Sequence, residues 1–351
     1  MKQDSTMAAA APVRQPVQTV AHGGDLSGLR DAYAGSWLDL STGINPAAYP
    51  MPPLSAEAWT RLPGAEALVT LLQAARQAYG APAEAGIVAV PGTQAAIQLL
   101  PRLSARSASG ARVTILGPTY AEHAHVWRAA GHDVTELDSL PGNLNGIDVL
   151  LAVNPNNPDG RTLGLPLLRR WHAELSARGG WLVLDEAFAD VVPEASLGMD
   201  AGKPGLVILR SFGKFFGLAG LRLGFVLGPP ALTDAIGAAL GPWAVSGPAL
   251  EIGTAALRDS AWQAAMRDEL RARSRRFDQA MRDRGIHVLG GTPLFRLAKI
   301  SAAAGFALAL RGQGIHTRIF EAQPHWMRFG LPADEAEFWR RLDLVLKGFN
   351  L

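Results

Sequence analysis

The chain has 351 residues, 48% hydrophobic and 18% charged, enough to bury a substantial core and, as a length prior, to form two domains. The formal net charge is +2 and the basic residues are scattered, so a nucleic-acid partner is not expected. There are no cysteines, which removes disulfides, thiolate metal sites and cysteine nucleophiles and fits a cytoplasmic setting, with no metal site expected.

In chain order, residues 1–21 are rich in Ala, Gln and Pro, and Pro12 and Arg14 break the apolar stretch, so this start reads as a loose tail. No apolar run reaches the roughly 18 residues needed to span a bilayer, so no membrane association is expected. From Gly64 to Gly228, helical and strand patterns alternate. Leu68, Leu71, Leu72, Ala75 and Tyr79 recur at helical spacing and stop at Gly80. Gly92-Thr93-Gln94 opens a helical run over residues 95–100, and free amides at a helix start can cradle a phosphate. Short apolar runs follow at residues 113–116, 149–153, 182–184, 206–209 and 224–227, with a helical pattern over 165–178. Strands alternating with helices predict an α/β domain around a mostly parallel sheet. Beyond Gly241 the pattern changes to long amphipathic helices and strands near 285–289, 295–298 and 326–329. We read a tail and arm (residues 1–49) that shares a layer with a smaller C-terminal α/β domain (246–351), and a large domain (50–245).

Ligands of such sheets sit at the carboxyl ends of the strands. The polar residues that follow the apolar runs are therefore the candidates. Lys214, in Ser211-Phe212-Gly213-Lys214-Phe215-Phe216-Gly217, has apolar flanks that disfavour its charged form and make the amine a better nucleophile toward an aldehyde. Asp185 ends another run and needs a positive partner if buried; a protonated pyridine nitrogen is one, with an N-cap or a metal-ligand role as the alternatives. Asn157, in Asn154-Pro155-Asn156-Asn157-Pro158, sits on a rigid turn and can offer its amide to a phenolic oxygen, although turn chemistry alone explains most such clusters. Tyr120, after Gly117-Pro118, can stack on a flat ring.

In order and spacing, these motifs resemble the fold type I pyridoxal-phosphate enzymes over roughly residues 40–335. The resemblance implies that fold, a pyridoxal 5'-phosphate cofactor and a homodimer. It implies Lys214 as the residue joined to the cofactor aldehyde and Asp185 as the partner of the ring nitrogen. Asn157 would serve the ring hydroxyl and Tyr120 the ring face, while Gly92, Thr93, Gln94, Ser211 and Arg222 would serve the phosphate. Arg328, in Met327-Arg328-Phe329-Gly330, matches the arginine that grips a substrate carboxylate. Within the family the chain is most similar to the histidinol-phosphate aminotransferase branch, and there to the threonine-phosphate decarboxylases. The carriers are His22-Gly23-Gly24-Asp25-Leu26, Leu40-Ser41-Thr42-Gly43-Ile44-Asn45-Pro46 and Phe212-Gly213-Lys214-Phe215-Phe216. That implies loss of CO2 from a small phosphorylated amino acid, with amino transfer from histidinol phosphate as the alternative. His22, Asn45, Arg161 and Arg318 are then the candidates for the rest of the substrate. The pattern departs at Gly213, where many relatives carry Ser or Thr, at Phe188, where Tyr is common, and at Leu62, which replaces a Tyr that reaches the neighbouring subunit.

Overall fold

The computed structural model describes residues 22–104 and 110–349; the predicted N-terminal tail lies outside the described residues. The chain enters through a two-residue strand, β1 (Leu38–Asp39), and two helices, α1 (Ala56–Thr60) and α2 (Ala65–Ala78). Seven strands then build one sheet: β2 (Gly86–Val90), β3 (Arg112–Leu116), β4 (Asp133–Leu137), β5 (Val149–Val153), β6 (Trp181–Asp185), β7 (Leu206–Ser211) and β8 (Gly224–Gly228). Their order is β2-β8-β7-β6-β5-β3-β4. Neighbours from β4 to β7 are parallel, whereas β8 runs antiparallel to both β7 and β2.

Alternation along the central strands explains why they read as continuous apolar runs. Leu150, Ala152, Leu182 and Leu184 enter one core, and Val149, Leu151, Val153 and Val183 enter another on the opposite face. Helices α3 (Thr93–Leu103), α4 (Glu122–Ala129) and, later in the chain, α7 (Pro230–Leu240) cover the second core with Ile97, Trp127 and Ile236. The first core takes Leu71 of α2 and Leu168 of α5 (Leu165–Ser176). The edge strand β4 escaped the sequence reading because its residues, Asp-Val-Thr-Glu-Leu, are mixed and largely solvent-facing.

A single short turn, α6 (Phe212–Phe215), carries Lys214 away from β7. Helix α8 (Gly247–Arg258) packs on α1 and α2, and α9 (Ser260–Asp283) leads to a second sheet. That sheet contains β9 (His287–Thr292) and β10 (Phe295–Lys299), followed after α10 (Ala303–Arg311) and β11 (Ile315–His316) by β12 (Arg318–Phe320) and β13 (Gln323–Gly330). Its order is β12-β13-β10-β9, all antiparallel, and α11 (Glu335–Leu346) closes the chain. β11 pairs in parallel with β1, and the Gly330 amide donates to Leu40 O at 2.7 Å, so the N-terminal arm lies against the strand that bears Arg328. Among the described residues, no helix is long and apolar enough to cross a membrane.

Candidate active site

The carboxyl ends of β5, β6 and β7 open onto one cavity of about 300 Å³, within the ~300–1,000 Å³ of small-ligand pockets. Its wall includes Gly92, Thr93, Gln94, Tyr120, Asn157, Asp185, Ser211, Lys214, Arg222, Arg328, Arg318 and His22. Strand order in the large sheet brings Asn157, Asp185 and Ser211 together, and the arm and second sheet add His22, Arg318 and Arg328.

One end of the cavity is built for an anion. Helix α3 starts at Gly92 (φ 79°) with no side chain capping its first amides, which leaves them for a ligand. A Cβ at Gly92 would lie 2.6 Å from Arg222 Nη2, so only glycine lets the guanidinium sit against this helix start. Arg222 itself has φ 54° and ψ 55°, a left-handed backbone that a long side chain rarely adopts, and strain of that kind gathers at ligand sites. Ser211 stands beside them at the end of β7.

The same wall carries a carboxylate with one strong tether. Asp185 Oδ2 accepts from His123 Nε2 at 2.8 Å, both side chains being buried, and Oδ1 accepts the Ala187 amide at 3.0 Å. A buried carboxylate so placed offers its negative charge to a cationic group entering the cavity. His123 went unnoticed in the sequence. Its only signal is its position three residues after Tyr120, just inside the start of α4; the two rings meet edge to face with 5.8 Å between centroids.

Lys214 also lines the cavity, half-buried, with its Nζ 5.8 Å from the centre of the Phe188 ring. Burial, helped by the Arg328 and Arg222 cations and opposed by Asp185, pulls its pKa down to about 8. Its carbonyl accepts from the Asn45 amide at 2.9 Å, which pins the turn. Arg328, 7% exposed, donates through Nη2 to Ser41 O at 2.6 Å and through Nη1 to Asn157 Oδ1. Burial lowers the Arg328 pKa to about 10. Because Asn157 spends its oxygen on Arg328, its amide nitrogen is the end left for a ring oxygen.

A further network runs along the wall. His22 Nε2 donates to Glu122 Oε1 at 3.0 Å, Gln94 Nε2 donates to Glu122 Oε2 at 2.7 Å, and the Tyr120 hydroxyl donates to Gln94 Oε1 at 3.1 Å. Burial and the nearby carboxylates raise the Tyr120 pKa, so the hydroxyl stays protonated. Glu122, like His123, was not picked out from sequence.

Two expected substrate residues stand outside this cavity. The Asn45 amide donates to Phe215 O at 2.9 Å and its oxygen accepts the Ala47 amide, so its side chain braces the lysine turn. Arg161 donates to Gly117 O at 3.1 Å, and its own amide is held by Asp159, which fixes it to a neighbouring loop. His22 and Arg318 do line the cavity.

The three departures sit in different surroundings. A Cβ at Gly213 would lie 2.7 Å from Ala219 Cα, so no hydroxyl-bearing side chain fits. Phe188 is buried with its ring edge-on to Phe295, at 5.0 Å between centroids. Leu62 is 67% exposed. Among the described residues, no group of three or more His, Asp or Glu side chains gathers as a metal site.

The family model described as aminotransferase class I and II matches residues 53–340. The threonine-phosphate decarboxylase of Pseudomonas aeruginosa is 47% identical over 94% of this chain and 98% of its own, and that of a Sinorhizobium species is 40% identical over 93% and 98%. Histidinol-phosphate aminotransferase 1 of Cupriavidus pinatubonensis is 30% identical over only 63% and 61%. Two solved structures share the fold. The L-threonine-O-3-phosphate decarboxylase from Porphyromonas gingivalis has a TM-score of 0.71 at 21% identity, covering 88% of this chain and 99% of its own. The histidinol-phosphate aminotransferase from Sinorhizobium meliloti, in complex with pyridoxal-5'-phosphate, has a TM-score of 0.75 at 20% identity, covering 97% and 99%. With a model match over most of its length and near-full-length likeness to two of its curated members, the chain belongs to the class I and II aminotransferase family, in the branch that holds the threonine-phosphate decarboxylases.

Proposed function

We infer that this chain decarboxylates L-threonine O-3-phosphate with pyridoxal 5'-phosphate, releasing CO2 and (R)-1-aminopropan-2-ol O-phosphate, the linker unit for cobalamin. The observation that carries this reading is the 47% identity over nearly the whole of a curated threonine-phosphate decarboxylase. The cavity supports it. Beyond the helix start and Arg222, which suffice for one phosphate, the wall offers Arg328, Arg318 and His22 to a substrate that has a carboxylate and a phosphate of its own.

The donor set fits the cofactor. The first amides of α3, Thr93, Gln94, Ser211 and Arg222 would hold its phosphate, Asp185 its ring nitrogen, Asn157 its ring oxygen, and Tyr120 one face of the ring. When bound, it supplies an aldehyde for the substrate amine and a protonated ring that takes up the electron pair left as CO2 departs. The chain does the rest. His123 fixes the carboxylate of Asp185, so the negative charge stays facing the ring nitrogen. Lys214, with its depressed pKa, is partly neutral near pH 8; it would hold the cofactor aldehyde and would be the group placed to deliver a proton to the substrate Cα. Arg328 grips the carboxylate, while His22 and Arg318 hold the phosphate. Anchoring at both ends would fix the orientation of the substrate Cα in the cavity.

Amino transfer uses the same side chains, so product analysis decides. The cofactor-loaded protein should release CO2 and the amino-alcohol phosphate from threonine O-3-phosphate without any keto acid. Glutamate formed from histidinol phosphate and 2-oxoglutarate, with no CO2 from the first mixture, would transfer the assignment to the aminotransferases.

The homodimer is part of the same proposal. Trp59, Leu62, Leu68 and Val69 on and between α1 and α2, and Trp243 ahead of α8, are large, apolar and exposed, and both α1 and α2 pack on α8. Sedimentation at micromolar concentration should give twice the 37.2 kDa chain mass; a monomer that remains active would remove the partner subunit from the scheme.

A further inference from the structure

Behind the sheet, away from the cavity, lies an ionic cluster that none of the chemistry above uses. Arg210, Glu186 and Asp190 are 3%, 0% and 4% exposed. Arg210 Nη1 donates to Glu186 Oε2 at 2.9 Å and to Ser196 Oγ at 3.0 Å, and Nη2 donates to Asp190 Oδ1. The guanidinium lies 4.4 Å from the centre of the Tyr79 ring. Burying three such charges is costly, and well-packed apolar residues commonly stabilise an interior as well or better. Stability alone is therefore a poor account of the cluster.

Its position supplies a better one. Successive side chains on a strand face opposite sides. Asp185 and Ser211 line the cavity, while their immediate neighbours Glu186 and Arg210 turn away and bind each other. The Glu186 amide also donates to Leu209 O at 2.9 Å, so side chains and backbone together lock the ends of β6 and β7. Helix α9 adds a third hold. Arg267 Nε donates to Asp190 O at 2.7 Å, and its guanidinium lies 5.2 Å from the centre of the Phe215 ring, next to Lys214 in sequence.

We propose that Arg210, gripped by Glu186 and Asp190, is a positioning residue that sets the spacing between Asp185 at the end of β6 and Lys214 beyond the end of β7. This rests on the reading that both groups act on one bound pyridoxal phosphate. Misplacing reacting groups by about 1 Å can cost on the order of a hundredfold in rate. A loosened cluster should therefore keep the cofactor and lose turnover.

The test uses the cofactor-loaded variants Glu186→Gln and Asp190→Asn, each of which keeps side-chain shape while removing one charge. The readouts are kcat and KM for threonine O-3-phosphate, the pH titration of the bound cofactor's visible absorbance, and thermal melting. The expected result is a kcat lowered about tenfold or more with KM little changed, and a displaced absorbance titration, in protein that still melts cooperatively. Wild-type kcat and titration in either folded variant would overturn the proposal, as would failure of both variants to fold, which would make the cluster a stability element. If the wild type binds cofactor but releases no CO2, the decarboxylase reading fails by itself, and the displaced titration still judges the positioning role.

Discussion

Replacing Lys214 with alanine is expected to lower turnover by at least ~10⁴-fold, since in the proposed scheme the amine would both hold the cofactor aldehyde and move the proton. The visible absorbance of the lysine-joined cofactor should vanish from the same variant, while the circular dichroism spectrum should be unchanged, because the side chain makes no hydrogen bond that the fold depends on. The wild type carries a matching pH signature. The Lys214 pKa is lowered to about 8, chiefly by burial, whereas an exposed lysine titrates near ~10.4. Lowering a lysine pKa enlarges the neutral, nucleophilic fraction at a given pH. The rate at which apoprotein takes up the aldehyde should thus rise with pH through about 8 and then level off. Stopped-flow absorbance measures this directly, and a rate still climbing steeply at pH 10 would mean that the lysine is not desolvated. A Lys214→Ala variant with wild-type turnover would remove the central residue of the scheme.

Asp185→Asn is expected to lower kcat by ~10²–10³-fold, the range seen when one preorganised electrostatic partner is removed from an active site. The substitution keeps the side-chain shape but deletes the charge that would hold a proton on the ring nitrogen. It carries a second, independent signature. Asp185 is the group that raises the Lys214 pKa against burial and the two arginines, so its neutralisation should move that pKa further down. A variant with lower kcat and an earlier lysine titration fits the assigned role. A change in KM alone, with kcat and titration untouched, would make Asp185 a binding residue with no part in the chemistry.

Much of this arrangement was legible in the chain, for identifiable reasons. Central parallel strands are buried on both faces, so the runs at 149–153, 182–184 and 206–209 stand out as unbroken apolar segments. The strand-end rule then directs attention to Asn157, Asp185 and Lys214 before any coordinates are known. The residues that tertiary contact brings in around and behind the site were less visible. His123 meets Asp185 across 62 positions and Arg210 meets Glu186 across 24, and neither distance follows any local period. Asn45 and Arg161 illustrate the converse. Each stands in a motif-rich segment, yet each side chain is committed to a nearby carbonyl, Phe215 O or Gly117 O, which only the folded loops reveal. The β4 edge was passed over because its residues are largely solvent-facing and give no unbroken apolar run.

The close approach of the backbone at residue 219 to Gly213 bears on how this scaffold can be altered. Transplanting the Ser or Thr of relatives into position 213 would look like a repair of the phosphate grip, yet the obstacle is an α-carbon, which no exchange of the Ala219 side chain removes. The hydroxyl becomes reachable only after the whole 217–221 bend is redrawn. An engineer, or a lineage taking one substitution at a time, would meet a barrier there rather than a slope.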